Sequence, residues 1–478
     1  MDLPHSDGEP PAFLIERDPR LRIVIPAIVA TAFLMEQLDQ TVIVTAIPSM
    51  AQSLHTTPLS LNLAITAYVL SLAMFIPLSG WLADRFGARR IFALSLLVFT
   101  IGSILCGLAT GFGTIIATRV LQGLGGAMMT PVGRLILISS FPRRQLATAM
   151  AYMTYPAVIG PVIGPLIGGL FTTYLSWRWI FFINVPFGIA GMIAALRFVE
   201  DHHGDRGARF DLPGFLLVGF GFTLLQLGVE SIGRGPLPPI AIGVALIAAI
   251  AMLVGFAAYA RRISAPTVDL TLFRDRAFRI GTLAGGLSRI GFNGLPFLLP
   301  LLLQLGFGLT PIVSGAITCV TALASLPVRS VVTVLLRRWG FRRLLIGSAV
   351  AGALAIASFA LLEPATPQWI IMVIVFVFGM TRSTQFMSSN MLSYADVAGA
   401  KLSRATSLGA ILQQLSVSFG VSATAVLLAL VAGGGGGTLT TGDFHVVFLL
   451  SAVIPLLGIP GFLALRPDDG EAVIMRTK

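Results

Sequence analysis

The stretch Gly80–Phe92 reads Gly-Trp-Leu-Ala-Asp-Arg-Phe-Gly-Ala-Arg-Arg-Ile-Phe and forms a short charged link between two long apolar runs. Gly87 permits the positive φ of a tight turn, and Gly80 lets two helices approach closely. The stretch Thr333–Leu345, Thr-Val-Leu-Leu-Arg-Arg-Trp-Gly-Phe-Arg-Arg-Leu-Leu, aligns with it and places Gly340 on Gly87. One such link in each half predicts a chain built from two parallel repeats.

The charges of this link also predict its orientation. Short cytoplasmic loops of membrane proteins collect Lys and Arg. Arg85 and Arg89 therefore place the link on the cytoplasmic side, and Asp84 lies at the end of the preceding helix. Most other Lys and Arg residues fall in alternate loops or in the tails, which predicts that both termini are cytoplasmic.

The composition predicts a polytopic helical membrane protein. Of the 478 residues, 55% are hydrophobic and only 11% are charged. Apolar runs recur that can each span a hydrocarbon core of ~30 Å with ~20 residues. The net charge of +11 would suit nucleic acid in a soluble protein, but here loop arginines account for it. We expect no nucleic-acid partner, cofactor, metal site or enzymatic activity, because no catalytic or phosphate-binding motif is present.

The apolar runs predict fourteen transmembrane helices in an all-α fold, with two six-helix bundles and two inserted helices. The predicted parts are a cytoplasmic tail at residues 1–21, a first bundle at 22–199, loops with the inserted helices at 200–277, a second bundle at 278–466 and a cytoplasmic tail at 467–478.

Three further stretches carry recognisable motifs: Leu38–Pro48, Arg119–Gly126 and Gly164–Gly169. They resemble the first-helix, fourth-helix and helix-five antiporter motifs of the major facilitator superfamily, in its fourteen-span drug:proton antiporter branch. Gly80–Phe92 resembles the loop-two motif of the same family. Longer strings such as Pro131–Leu135 resemble a subgroup of multidrug exporters that has also been linked to citrate or iron–citrate export.

The resemblance implies a proton-coupled exporter of a small molecule that works by alternating access in the inner membrane. Its partners would be the substrate, protons and the lipid bilayer, and we expect a monomer. Two residues depart from the branch pattern. Val44 stands where the branch usually has Asn, and Glu36 is a carboxylate outside the usual motif.

Two carboxylates and one arginine are the candidates for proton coupling. Ionisable groups inside membrane spans are costly and usually face a cavity or a partner. Glu36 and Asp39 share one helical face. Helical rise puts Asp39 ~25 Å and Arg119 ~22 Å from the inner side, so these two can meet. A carboxylate balanced between burial and an arginine can bind and release a proton. The alternative is a permanent ion pair that locks two helices together.

The substrate site is predicted from the remaining polar groups of the spans. Two carboxylates against five arginines favour an anionic substrate, and Arg289 and Arg382 are the informative pair. Their alternative role is interhelical hydrogen bonding. A cationic drug, or a facilitative carrier without proton coupling, stays open. The other residues expected to line the cavity are Asn390, Gln413, Phe292 and Phe386.

The helix-five motif is the first predicted gate. Pro165 removes a backbone donor and bends the helix, while Gly164, Gly168 and Gly169 form a face for close packing. The resemblance implies that this face packs against the other half, so that it can hinge and seal. Ordinary tight packing is the alternative.

The link that carries Asp84 is the second predicted gate. The layout of the family implies that Asp84 meets the N-terminus of helix thirteen, near an N-cap at Ser403, when the cytoplasmic side closes. Its contact would then stabilise the outward-facing state. The residues of this gate are Gly80, Asp84, Arg85, Gly87 and Arg89.

Overall fold

The structure is a computed structural model of the 478-residue chain. It contains helices and irregular segments, and no strand occurs in the ranges that it describes. Most of both predicted tails lies outside those ranges. The described residues are 20–141, 154–201, 210–232, 238–263, 266–397, 402–433, 439–466 and 469.

The helices follow one another with short connections. They are α1 Leu21–Ser53, α2 Pro58–Phe86, α3 Ala88–Gly107, α4 Phe112–Ser140, α5 Thr154–Tyr174, α6 Asn184–Phe198, α7 Leu212–Ser231, α8 Pro239–Ala260, α9 Gly285–Leu301, α10 Pro311–Leu323, α11 Ser325–Ser358, α12 Gln368–Ala395, α13 Leu402–Val431 and α14 Thr441–Val453. Short helical turns precede α6 and α9 and follow α9, α11 and α14.

Local capping explains where several helices begin. Thr57 precedes α2, and its hydroxyl accepts a hydrogen bond from the Ser60 amide at 3.1 Å, with Pro58 in the first turn. Asp211 caps α7 in the same way through the Gly214 amide at 2.9 Å. These caps satisfy amide groups that have no partner inside the helix.

The helices form two six-helix bundles with α7 and α8 inserted between them in sequence. In the first bundle α1 packs on α5, and α4 packs on α2 and α3. In the second bundle α9 packs on α13, and α12 packs on α10 and α11. The bundles meet where α5 packs on α10 and where α2 packs on α13. The domain boundaries given above stay predictions.

Both charged links contain the predicted left-handed glycine. Gly87 has a φ of 97° between α2 and α3, and Gly340 has a φ of 70° within α11. Gly340 therefore interrupts α11 where the sequence alignment places a turn. L-residues with a side chain rarely adopt such angles, so glycine is required at both links. We call the end of the molecule that carries these links the arginine-rich end.

The expectation for Gly80 is wrong in this structure. A Cβ added at Gly80 would meet nothing within 4 Å, so no helix approaches closely there. Gly80 instead lines the space between the bundles.

The helices are long and apolar enough for a multi-pass membrane protein. Twelve segments of the described chain can each cross a membrane by length and composition. One of them, Pro311–Leu361, is 51 residues long and includes the break at Gly340, and Ile159–Tyr174 is a shorter apolar helix. The count of fourteen spans does not conflict with this arrangement and stays a prediction.

Candidate functional site

A cavity of about 1780 Å³ lies between the two bundles. Its lining runs from Tyr68 and Arg119, in the halves of α2 and α4 farther from the arginine-rich end, to Asp84 and Arg404 at the arginine-rich end. Pockets for drug-sized ligands usually hold ~300–1,000 Å³. The cavity therefore has room for a small molecule together with water.

Asp39 and Arg119 form a buried ion pair beside this cavity. The Arg119 Nη1 donates to Asp39 Oδ2 at 2.6 Å, and both side chains are almost completely inaccessible to solvent. The depths worked out from the sequence allow this contact, and the structure contains it. The role of the pair in proton coupling stays a prediction.

A polar shell holds the ion pair in place. Gln122 Nε2 donates to Asp39 Oδ1 at 2.7 Å, so both carboxylate oxygens accept a hydrogen bond. Arg119 Nε donates to the Ala64 carbonyl at 3.1 Å, and its guanidinium lies 4.2 Å from the ring centroid of Tyr68. Gln122 was not among the residues predicted for the site. Its position one helical turn after Arg119 was the available signal.

Glu36 meets the cavity directly. It lines the cavity wall, and Thr130 Oγ1 donates to its Oε2 at 2.6 Å. Asp39 is not part of the lining, whereas its partner Arg119 is. The two carboxylates of α1 are therefore placed differently, one at the cavity surface and one behind the arginine.

The two arginines predicted to bind the substrate, Arg289 and Arg382, also differ in position. Arg382 lines the cavity, and its Nη2 donates to Asn293 Oδ1 at 3.3 Å. Arg289 lies behind the wall, where its Nη2 donates to Asn390 Oδ1 at 2.7 Å. Its guanidinium stacks 4.6 Å from the ring centroid of Phe386. Phe386 and Asn390 line the cavity, so Arg289 positions two wall residues without being part of the wall itself.

Gln413 lines the cavity as expected, but Phe292 does not. Phe292 is 1% exposed and packs on Phe378 with ring centroids 5.9 Å apart. Gly352 on α11 leaves space for that ring, so Phe292 turns into the bundle core. Phe297 occupies the cavity wall instead.

Opposite the arginine-rich end, the two bundles are in contact. Gln304 Nε2, just after α9, donates to the Thr45 carbonyl of α1 at 3.0 Å. The Ile312 amide of α10 donates to Thr173 Oγ1 of α5 at 3.2 Å. These hydrogen bonds join the first bundle to the second beyond the closed end of the cavity.

The helix-five motif packs through two faces, and one of them takes part in this contact between the bundles. A Cβ added at Gly164 would lie 2.8 Å from Thr41 Cβ, so this face packs against α1. Gly168 also packs against α1, and Gly169 packs against the start of α10. Across that interface a Cβ at Gly315 would lie 2.9 Å from the carbonyl carbon of Pro165. The expected packing against the other bundle is therefore present at Gly169 and Pro165, whereas Gly164 and Gly168 pack within their own bundle. The hinge role stays a prediction.

The arginines of the Gly80–Phe92 link have structural partners. Arg89 and Arg90 lie 3.9 Å and 3.1 Å from Asp201 Oδ2, just after α6. The Arg85 guanidinium lies 5.3 Å from the centroid of the Trp81 ring. These contacts tie the link to its own bundle.

Asp84 lines the cavity, and α2, the helix that carries it, packs on α13. The structure describes α13 from Leu402, so Ser403 is inside the helix and is not its N-cap. The residues immediately before Leu402 lie outside the described residues. The predicted contact of Asp84 with this helix end in the closed state stays a prediction.

The segment that follows α8 completes the cavity at the arginine-rich end. Asp269 in this segment lies 3.3 Å from Arg404 Nη1 on α13, and both line the cavity. Partial burial raises the pKa of Asp269, but the Thr271 hydroxyl, the Thr271 amide and Arg404 outweigh it and hold that pKa below its usual range. Sequence reasoning missed this pair, because neither residue belongs to a recognisable motif.

Asp211 ties the two ends of the inserted helix pair together. Besides capping α7, its carboxylate accepts from the Thr267 amide at 2.8 Å and from the Tyr259 hydroxyl at 2.8 Å. Burial raises the pKa of Asp211, but these donors together hold it below its usual range. Asp211 and Thr267 both line the cavity, so the inserted pair is fixed to the cavity wall.

Comparisons with known proteins agree with this geometry. A family model described as Major Facilitator Superfamily matches residues 29–421. A protein of Pectobacterium carotovorum subsp. carotovorum (strain PC1), named "Putative multidrug resistance protein MdtD", is 39% identical over 92% of this chain and 95% of its own length. A protein of the same name from Escherichia coli (strain 55989 / EAEC) is 37% identical over 92% of this chain and 94% of its own length.

Two solved structures show the same fold. The nucleoside transporter NupG superposes with a TM-score of 0.65 at 14% identity, covering 93% of this chain and 99% of that one. A bacterial homologue of the human lysosomal transporter Spinster, in an inward-facing and unoccupied conformation, gives a TM-score of 0.63 at 16% identity, covering 96% of this chain and 97% of that one.

Proposed function

Because this chain belongs to the major facilitator superfamily and is therefore a membrane transporter rather than an enzyme, we propose that it is a proton-coupled exporter. The observation that carries the proposal is the buried pair of Asp39 and Arg119 at the closed end of the cavity. The names of the relatives extend the proposal to multidrug or small-molecule efflux.

Proton binding at Asp39 would change the strongest electrostatic contact of the site. The ionised carboxylate accepts from Arg119 and Gln122. A proton on Asp39 removes its charge and one of its acceptor positions, so Arg119 is released toward the cavity that it lines. Glu36, at the cavity wall, would pass protons or tune the pair.

Alternating access is supported by the asymmetry of the cavity. Its lining reaches the arginine-rich end, while hydrogen bonds and the α5–α10 packing join the bundles opposite. We propose that this end is cytoplasmic, that the molecule resides in the bacterial inner membrane with both termini inside, and that it acts as a monomer. The arrangement is then the inward-facing state.

An organic anion such as citrate or iron–citrate is the substrate class that we propose. Arg382, Arg329 and Arg134 line the cavity, and guanidinium groups bind carboxylates through two parallel hydrogen bonds. A cationic drug is the second candidate. Glu36 and the aromatic rings of Phe297 and Phe386 in the same wall favour it.

Transport by purified protein in proteoliposomes tests the proton coupling. Asp39→Asn should abolish uphill export driven by an imposed pH gradient while leaving expression intact. Glu363→Gln, at an exposed carboxylate in the connection after α11, is the matched control and should transport normally. Uphill transport by Asp39→Asn at the native rate would show that the proposal is wrong.

Binding to the same purified protein tests the substrate class. Citrate and its iron complex are compared with cationic dyes. Preference for the dyes would replace the organic anion with the second candidate. A transport rate that does not depend on the pH gradient in the wild type or in any variant would indicate a facilitative carrier.

A further inference from the structure

Glu230 is a buried carboxylate that the transport site does not use. It lies in the last turn of the inserted helix α7 and is only 8% exposed. At this end α7 contacts α2 of the first bundle and α13 of the second. Glu230 therefore sits where the inserted pair meets both bundles, at the end opposite the arginine-rich end.

The neighbours of Glu230 are neutral polar groups from three helices. Asn62 Nδ2 donates to its Oε1 at 3.0 Å, and Thr66 Oγ1 donates to its Oε2 at 2.8 Å. One turn earlier on α7, Gln226 Nε2 donates to Ser422 Oγ of α13 at 2.5 Å. All four neighbours are at most 1% exposed.

No cation lies within ion-pair distance of Glu230 in the described part of the chain. On the helices packed around it, Tyr68 is the nearest described titratable group in sequence, and its ring faces Arg119. Four others lie eighteen or more residues along their helices from Thr66, Glu230 or Ser422, or ~27 Å away. They are Asp84 and Arg85 on α2, Asp211 at the start of α7 and Arg404 on α13. Tyr259 lies near the other end of α8, which passes Gly228 at Leu246.

The same cluster contains buried acceptors that lack a donor. Asn62 Oδ1 and Gln226 Oε1 have no hydrogen-bond partner among the described residues, although both side chains are fully buried. An unpaired buried charge and an unpaired buried acceptor are each costly. A carboxylic acid at Glu230 removes the buried charge, and its O–H is a donor for one of these two acceptors.

We propose that Glu230 is a second proton-binding site, at the junction of the inserted helix pair with both bundles. The ligand is a single proton shared with the amide oxygens of Asn62 or Gln226. The site is separate from the Asp39 pair, and it stands whether or not Asp39 drives export.

Infrared difference spectroscopy of the full-length protein in lipid tests the proposal directly. The wild type, recorded over a range of pH, should show a carbonyl-stretch band of a protonated carboxylic acid. Glu230→Gln should lose the intensity of one carboxyl group from this band. Glu363→Gln, at an exposed carboxylate, should retain the band in full, and Asp39→Asn should leave the Glu230 component in place.

An unchanged carboxylic-acid band in Glu230→Gln at every pH would overturn the proposal. If that variant does not fold, labelling of the wild type by dicyclohexylcarbodiimide provides the second measurement. This apolar reagent modifies protonated carboxyl groups in apolar surroundings, and mass spectrometry should place the adduct on Glu230. Labelling elsewhere with Glu230 unmodified would also reject the site.

Discussion

Replacing Gly315 by alanine should push the two bundles apart at the end where they now meet. Gly315 lies on α10 against α5, and an added Cβ would come within 2.9 Å of the Pro165 carbonyl carbon. Backbone cannot move aside as a flexible side chain can. Overpacking of this kind costs ~1–3 kcal/mol.

The cost applies only while α5 and α10 are in contact. If the contact separates in the other access state, Gly315→Ala destabilises one state and spares the other. A difference of ~1–3 kcal/mol changes the ratio of two states by about 5–150-fold. The ratio of molecules open at the end opposite the arginine-rich end to molecules open at the arginine-rich end should rise by that factor.

Spin-label distances provide the assay. Labels at the exposed positions Gln52 and Glu363, one on each bundle at this end, should show a larger long-distance population in Gly315→Ala. Gly347→Ala is the matched control, because an added Cβ there meets nothing within 4 Å. A folded Gly315→Ala protein with unchanged distances, or an equal shift in Gly347→Ala, would refute the reasoning.

Three further predictions concern charges around the cavity. Asp269→Asn should lower the free energy of unfolding by up to ~1 kcal/mol at neutral pH, since its partner Arg404 is largely exposed. The pKa of Asp269 is lowered, so the ion pair persists until the pH falls below the ordinary carboxyl range. The thermal unfolding temperatures of variant and wild type should therefore converge only in acid. A difference between these temperatures that does not change with pH would contradict this. Arg382→Gln should weaken citrate binding ~10–150-fold and leave the binding of neutral dyes unchanged. Equal loss of binding for citrate and dyes in this variant would indicate a structural role for Arg382. Arg289→Gln should instead lower thermal stability. Asp84→Asn should shift the ratio of the two access states severalfold to ~30-fold toward the inward-facing state, and it should slow turnover more than it weakens binding. An unchanged distance between spin labels near Ala88 and Phe341, on the two arginine-rich links, would exclude this latch.

The fold was accessible from the sequence because its signals are local. Long apolar runs, a repeated charged link and proline at helix starts each depend on neighbouring residues. Gly87 and Gly340 show this best, since the alignment of two links identified both left-handed turns. Helical rise placed Asp39 and Arg119 at similar depths and so allowed their contact, whereas the contact itself depends on α1 packing beside α4.

The rest depends on how the helices are rotated and on which helices become neighbours. Phe292 and Phe297 look alike in sequence and both are 1% exposed, yet only Phe297 is part of the cavity lining. Arg289 and Arg382 were indistinguishable for the same reason. Glu230 was missed because it lies at the end of an inserted helix, where a carboxylate is ordinary until packing by α2 and α13 buries it.

The second inserted helix, α8, has a surface that few other parts of this molecule share. Only 17% of its most apolar stretch is buried, and an added Cβ at Gly243 or Gly255 would meet nothing within 4 Å. Lipid tails require only that side chains be apolar, without a defined shape. Over evolutionary time α8 should therefore exchange one aliphatic residue for another freely, while α7 beside it changes slowly. In a collection of natural sequences, the two inserted helices should differ sharply in substitution rate even though they are neighbours in sequence and pack on each other.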